Sequence, residues 1–216
     1  MRESIQITGV VISSMNVGEY DRRVVLLTKE RGKITAFARG ARKQTSHLLA
    51  ATNAFVFAEF ELYEGRNAYT LVRANVKHHF MEMAMEMPGV YYGFYFMELA
   101  DYFCTENTDE TNMVNLLFVT FRTILKSKID LKLIRSIFEL KTLVYNGMFS
   151  VDVTECRDEA ALYALHFVTT APVERLYSFS LKEESKKEFN RIVKKYLKYS
   201  VDKTFKSLDV LETIDE

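Results

Sequence analysis

Two glutamates, Glu59 and Glu61, stand two residues apart in a run of strand-forming residues, a spacing that puts both carboxylates on one face. Paired acids of this kind can share a divalent ion. The same spacing also suits a solvated strand face opposite Phe55, Phe57 and Tyr63, and that reading is preferred. Glu19 and Asp21 flank a turn and are read the same way. His78 and His79 alternate across a strand end, so they cannot easily chelate one ion and are read as interdomain or surface residues. Cys104 follows Phe103 in a helical pattern and is expected to be a small core residue. With Cys156 it completes a set of two cysteines, too few for a disulfide framework. Gly32-Lys33 lacks the earlier glycine and the following Ser or Thr of a phosphate-binding loop, and no G-x-S-x-G, H-E-x-x-H or G-x-G-x-x-G occurs. Catalysis is therefore not expected, and a nuclease would rest on Glu59 and Glu61 alone.

A different chemistry is concentrated between Arg22 and Lys43. Arg22, Arg23, Lys29, Arg31, Lys33, Arg39, Arg42 and Lys43 face a single acid there, Glu30. Residues 1–80 hold twelve Lys and Arg against seven Asp and Glu, whereas residues 81–121 hold seven acids and no Lys or Arg. The formal net charge of zero hides this separation, which suggests one surface made for an anion and another that avoids it. A groove that tracks a phosphate backbone needs such a cluster and a ring for base stacking. Phe37 and Tyr20 are the nearby rings. Adjacent strands are expected to bring these cations onto a shared side. A solvated strand pair is the plainer reading, and the lopsided charge tilts the balance towards nucleic-acid binding.

The elements that must position these residues change character near residue 80. Ile5 to Ile12, Val24 to Leu27, Ile34 to Arg39, Phe55 to Leu62, and Tyr69 with Leu71 and Val76 read as five strands. Turns are expected at Asn16-Val17-Gly18, Glu30-Arg31-Gly32 and Glu64 to Asn67, with a basic loop from Ala41 to about Ser46. Five short strands in about eighty residues fit an oligonucleotide-binding (OB) barrel, and an SH3-like barrel fits the same pattern. After Pro88-Gly89 a helical period takes over. Tyr92, Tyr95-Phe96, Leu99 and Tyr102-Phe103 share one face. Val114, Leu117-Phe118, Phe121 and Leu125 share another, and Leu133-Ile134, Ile137-Phe138, Leu140 and Val144 a third, stopped at Gly147. Residues 148–180 show no clear pattern. A last helix carries Phe189, Ile192-Val193 and Tyr196-Leu197 opposite Lys187, Arg191, Lys194-Lys195 and Lys198. No apolar stretch approaches the ~18 residues that span a bilayer, and Met1 to Gln6 lack a signal-like apolar core. The expected location is the cytoplasm, at the nucleoid, with no membrane partner.

The order Gly18-Glu19-Tyr20-Asp21, Val24-Val25-Leu26-Leu27-Thr28, Gly32-Lys33, Ala38-Arg39-Gly40-Ala41-Arg42 and Ser46 resembles the opening of the bacterial recombination mediator family RecO. Arg135-x-x-Phe138-Glu139-Leu140-Lys141 with Gly147, and the terminal Lys206-Ser207-Leu208, are similar to later parts of the same family. The resemblance implies an α+β chain: an OB-type barrel over residues 1–80, then a mainly helical domain over 81–216. It implies a non-enzymatic protein that binds single- and double-stranded DNA and anneals complementary strands. It also implies contacts with the acidic tail of single-strand-binding protein and, with the partner RecR, help in loading recombinase. The DNA-binding residues expected are Arg22, Arg23, Lys33, Phe37, Arg39, Arg42 and Lys43. For the acidic tail, Arg122, Lys126, Lys132 and Arg135 are expected, with Leu125, Ile129 and Leu131 lining an apolar slot. Many family members carry a four-cysteine zinc module after the third helix. Here only Cys156 stands near a ligand position, Glu159 takes the place of its partner, and His166 cannot restore four ligands. No cofactor is expected, and residues 148–180 should hold by packing of Leu162, Leu165, Phe167, Leu176 and Phe179. The alternative function is a protein-interaction adaptor whose barrel does not bind DNA, favoured by the acidic stretch 81–121.

Overall fold

The computed structural model describes residues 3–85, 87–150 and 155–214. Five strands come first: β1 (Ser4–Val17), β2 (Asp21–Thr28), β3 (Gly32–Ala38), β4 (Phe57–Tyr63) and β5 (Tyr69–His78). Six α-helices follow among the described residues: α1 (Gly89–Phe103), α2 (Thr111–Lys126), α3 (Leu131–Tyr145), α4 (Glu159–Thr170), α5 (Glu183–Ser200) and α6 (Lys206–Ile214). The chain divides into two compact units. One comprises Met1–Glu86 with Met97–Val114, the other Met87–Phe96 with Asn115–Glu216.

In the first unit the strands close into a barrel in the order β1-β2-β3-β5-β4, with β3 and β5 parallel and all other neighbours antiparallel. This is the OB-type barrel that the family resemblance implied, where the strand count also allowed an SH3-like one, and closure removes the sheet edges that a free sheet exposes. The β-branched and aromatic residues that favour pleated backbone alternate inward. Ile7, Val11, Val24, Leu26, Ile34, Phe60, Leu62 and Leu71 form its core. The connection from β3 to β4 is longer than the basic loop expected from sequence. It runs from 39 to 56 and sends Ala41, Leu48 and Val56 into the same core. Phe55 belongs to that connection rather than to β4, at φ 69 with its N–H donating to Val11 O.

One expectation about β4 is corrected. Its inward residues are Ala58, Phe60 and Leu62, so Glu59 and Glu61 lie on the same side as Phe57 and Tyr63, not opposite them. Strand side chains alternate every residue, and odd positions share a side. Phe57 escapes water by packing edge-on against Phe80, with ring centroids 5.4 Å apart.

The second unit is built on α3, whose buried run extends from Leu133 and Ile134 through Ser136–Leu143. Phe138 stacks on Phe96 at 4.3 Å. Asp130 caps the start of α3 by accepting from Lys132 N, and Gly147, at φ 67, ends it as the pattern predicts. α4 lies in the stretch that showed no pattern. Asp158 caps it by accepting from Ala161 N at 2.7 Å. Leu165 and Leu176 are buried, and Phe167 meets Phe179 at 5.4 Å. Residues 151–154, part of the expected zinc-module replacement, lie outside the described residues.

Candidate nucleic-acid interface

The cations from Arg22 to Lys43 do not gather into one cluster, although Arg23 and Lys33 line the same cleft. The β2–β3 hairpin carries them to its two ends, about 20 Å apart at strand rise. Lys29, Arg31 and Lys33 sit at the turn and Arg22, Arg39, Arg42 and Lys43 at the opposite end, while Arg23 reaches from that end towards Thr35 and the cleft at the turn.

At the turn, Lys33 is committed. Its Nζ donates to the Asp101 carbonyl and pairs with Asp101 Oδ1 at 3.2 Å. The segment after α1 runs along the turn: Lys33 N donates to Thr105 O, Asn107 N to Arg31 O and Glu110 N to Lys29 O, at 2.9, 2.9 and 3.0 Å. A cleft of about 510 Å³ opens there, lined by Arg23, Lys33, Thr35, Asp101, Tyr102 and Glu106 among others. Its acids make it a poor seat for a phosphate. Cys104 also lines it, and burial pushes the Cys104 thiol well above its ordinary range.

At the other end Arg22 is committed too. Its Nη1 donates to Leu49 O, Thr52 Oγ1 and Asn53 Oδ1 at 3.0, 2.8 and 2.8 Å, holding the β3–β4 connection. Burial, with the charge of Arg42 nearby, lowers the Arg22 pKa. Arg42 is exposed and braces the β1–β2 turn through Nη1 to Gly18 O and Glu19 O. Lys43 lies over the Tyr20 ring, 5.4 Å from its centre. Asp21 is occupied by Gly40 N at 2.7 Å. Arg39 and Phe37 are exposed, and Arg23 is half-buried. Arg39, Arg42 and Lys43 are thus cations close to Tyr20 and the start of β2, with no acid paired to them among the described residues.

Glu59 pairs with Lys77 at 3.1 Å and accepts from Asn75 at 3.0 Å, and these partners depress its pKa. Glu61 stands across from Arg73. This is the solvated strand face preferred from sequence. Among the described residues no group of three or more His, Cys, Asp and Glu could hold a metal ion. Cys156 is half-exposed, with Sγ donating to Asp158 O at 3.3 Å. Glu159 begins α4 and His166 is exposed on it, so the described residues of this region do not fit a tetrahedral zinc site. No described helix is long and apolar enough to cross a membrane.

In the second unit the four cations expected for an acidic tail separate into two clefts. Arg122 and Lys126 line one of about 310 Å³ with Val119, Thr123, Ser127, Glu174 and Tyr177. Lys132 and Arg135 line another of about 450 Å³ with Ser136, Glu139, Asn190, Lys194 and Glu212. Arg135 is committed: its Nε donates to the buried Glu139 carboxylate at 2.7 Å, and Tyr95 OH donates to the same oxygen at 2.7 Å. Leu125, Ile129 and Leu131 line neither cleft; Val119 and the Tyr177 ring supply the apolar wall beside Arg122. A side chain missed from sequence is Lys141, buried, whose Nζ donates to Val168 O, Thr169 O and Ala171 O and so caps the end of α4. On α5, Arg191 pairs with Glu188 and Lys195 with Glu155, while Lys187 and Lys198 are exposed.

The family model for the Recombination protein O N terminal region matches residues 1–80, and that for its C terminal region matches residues 154–209. The chain is 24% identical to the DNA repair protein RecO of Acetivibrio thermocellus over 245 residues, covering 98% of this chain and 97% of that protein. It is 26% identical to the protein of the same name from Clostridium acetobutylicum, covering 96% and 97%. Identity reaches 34% over 144 residues with the Alkaliphilus metalliredigens protein of that name, covering 67% of this chain and 58% of that one.

Proposed function

Since the chain belongs to the Recombination protein O family, we propose that it is a DNA repair protein that binds DNA, anneals single strands and helps load recombinase onto strands coated by single-strand-binding protein, without catalysis of its own. Single- and double-stranded DNA, single-strand-binding protein and RecR are its partners, and it works at the nucleoid. The observation that carries the reading is the cluster Arg39, Arg42 and Lys43 at the open end of the β2–β3 hairpin, beside Tyr20 and the outward Phe37. A backbone of phosphates needs such a cluster, and counterion release makes its binding depend on salt. The acidic tail of single-strand-binding protein is captured by Arg122 and Lys126, because that cleft joins two cations to an apolar wall.

Charge reversal of Arg39, Arg42 and Lys43 to Glu tests the DNA reading. Single-strand affinity should fall for every sequence, and the log–log salt slope should flatten by about 0.7 for each phosphate no longer neutralised. Unchanged affinity and slope would take the barrel out of the DNA site. They would favour the adaptor reading, which the acids Asp101 and Glu106 lining the cleft beside Lys33 support.

A further inference from the structure

Three adjacent strands carry a row of outward side chains that phosphate binding does not use. The register sets Met15 of β1 beside Arg23 of β2, and Arg23 beside Phe37 of β3. Alternation turns Arg23 and Phe37 out, since their chain neighbours Val24, Ala36 and Ala38 are fully buried, and Met15 shares their side as the cross-strand partner of Arg23. Met15 is 57% exposed and Phe37 37% exposed. Single exposed apolar residues are ordinary on protein surfaces. Here two of them flank Arg23, whose Nη2 donates to Thr35 Oγ1 at 3.4 Å, and strands about 4.8 Å apart make the row about 10 Å long.

The surroundings suit an anionic chain at only one end of this face. Towards the β2–β3 turn, Asp101 holds Lys33, and Asp101 and Glu106 line the cleft that begins at Arg23 and Thr35. Away from the turn, Arg39 follows Phe37 by two residues, and Arg42 and Lys43 follow on the connection. Two carboxylates stand near this end: Asp21 accepts from Gly40 N, and Glu19 is hydrogen-bonded to Tyr20.

We infer that Met15, Arg23 and Phe37 form a stacking row that receives the bases of an unpaired strand, and that this row makes the barrel prefer single strands to duplex. The inference rests on the reading that the barrel holds DNA. A phenyl ring and a guanidinium plane both stack on nucleobases, and a thioether is polarizable enough to cover a base face. An unpaired strand can turn its bases onto the row while its phosphates meet Arg39, Arg42 and Lys43. A duplex keeps its base faces stacked inside and offers only phosphates, so Met15 and Phe37 add nothing to its binding.

The chain contains no Trp, so Phe37→Trp places a single indole in the row. Its emission should be quenched when a base-bearing single strand binds. An abasic strand of equal length should leave it unchanged, and duplex should quench it weakly. Met15→Ala and Phe37→Ala should each weaken single-strand binding roughly five- to tenfold. Their salt slopes and their affinity for the abasic strand should match the unsubstituted protein. Equal affinity of the unsubstituted protein for base-bearing and abasic strands would overturn the stacking row and leave phosphate binding standing. So would indole emission from the Phe37→Trp variant that stays unmoved at saturating strand. No binding of either strand would overturn both readings.

Discussion

Gly32 adopts φ +62, and a Cβ built on it would lie 2.0 Å from the Thr105 carbonyl oxygen. Gly18 has nearly the same backbone, φ +58, with nothing within 4 Å of its would-be Cβ. The pair separates backbone strain from steric exclusion. Gly18→Ala should cost about 1 kcal/mol in chemical denaturation, the penalty of a left-handed L-residue. Gly32→Ala should cost about 2 kcal/mol or more, because the Thr105–Glu110 segment must also leave the turn. Equal costs would mean that this segment does not bear on the turn. Both glycines and the cations around them were legible as types in the sequence; their partners were not. Arg22 and Lys33 look like their neighbours in composition, yet one is held by Leu49, Thr52 and Asn53 and the other by Asp101. Those partners are 27 to 68 residues away along the chain, so no local pattern announces them. Met15 was missed for the opposite reason: it ends a β-branched run as any strand residue might, and only the register with Arg23 and Phe37 gives it company.

At the scale of elements, the strands and the long helices announced themselves because their apolar periods are strong, and α4 did not. Its inward positions include Ala161 and Ala164, too small to mark a face, and its end is held by Lys141 from α3. α3 looked like a plain core helix with a cationic start. It is instead the element that buries a glutamate and a lysine and partners both. Arg135 and Glu139 stand one turn apart, with side chains 15% and 3% exposed, and Tyr95 closes the triad. Burial and the Glu139 charge hold the Tyr95 hydroxyl protonated far above its ordinary range. Removing one partner of a buried pair strands the other charge. Arg135→Ala should therefore destabilise the fold by about 3 kcal/mol. Arg122→Ala, on an exposed face of α2, should change stability by no more than about 0.5 kcal/mol. Urea midpoints of the two variants decide the matter, and a stable Arg135→Ala protein would return Arg135 to the pool of cations free to bind a ligand.

For the whole molecule, a net charge of zero is compatible with DNA binding because a strand meets a local potential, not a sum. The cations proposed for DNA belong to the first unit and those proposed for the acidic tail to the second. On the proposed function, annealing of coated strands would need both, since the coat must be engaged and the bared strand held; annealing of naked strands would need only the first. Two surfaces on two units can be disabled one at a time. Charge reversal at Arg39, Arg42 and Lys43 should slow annealing of naked and coated strands alike. Arg122→Ala with Lys126→Ala should weaken tail-peptide binding roughly tenfold, at about 0.7 kcal/mol for each partly exposed charge pair. It should slow annealing of coated strands by a similar factor and leave naked strands near the unsubstituted rate. This double variant spares Arg135, so a slow reaction cannot be blamed on a weakened α3. If naked-strand annealing falls with it, Arg122 and Lys126 lie on the DNA path. The cleft lined by Lys132, Lys194 and Asn190 then becomes the place to seek the tail.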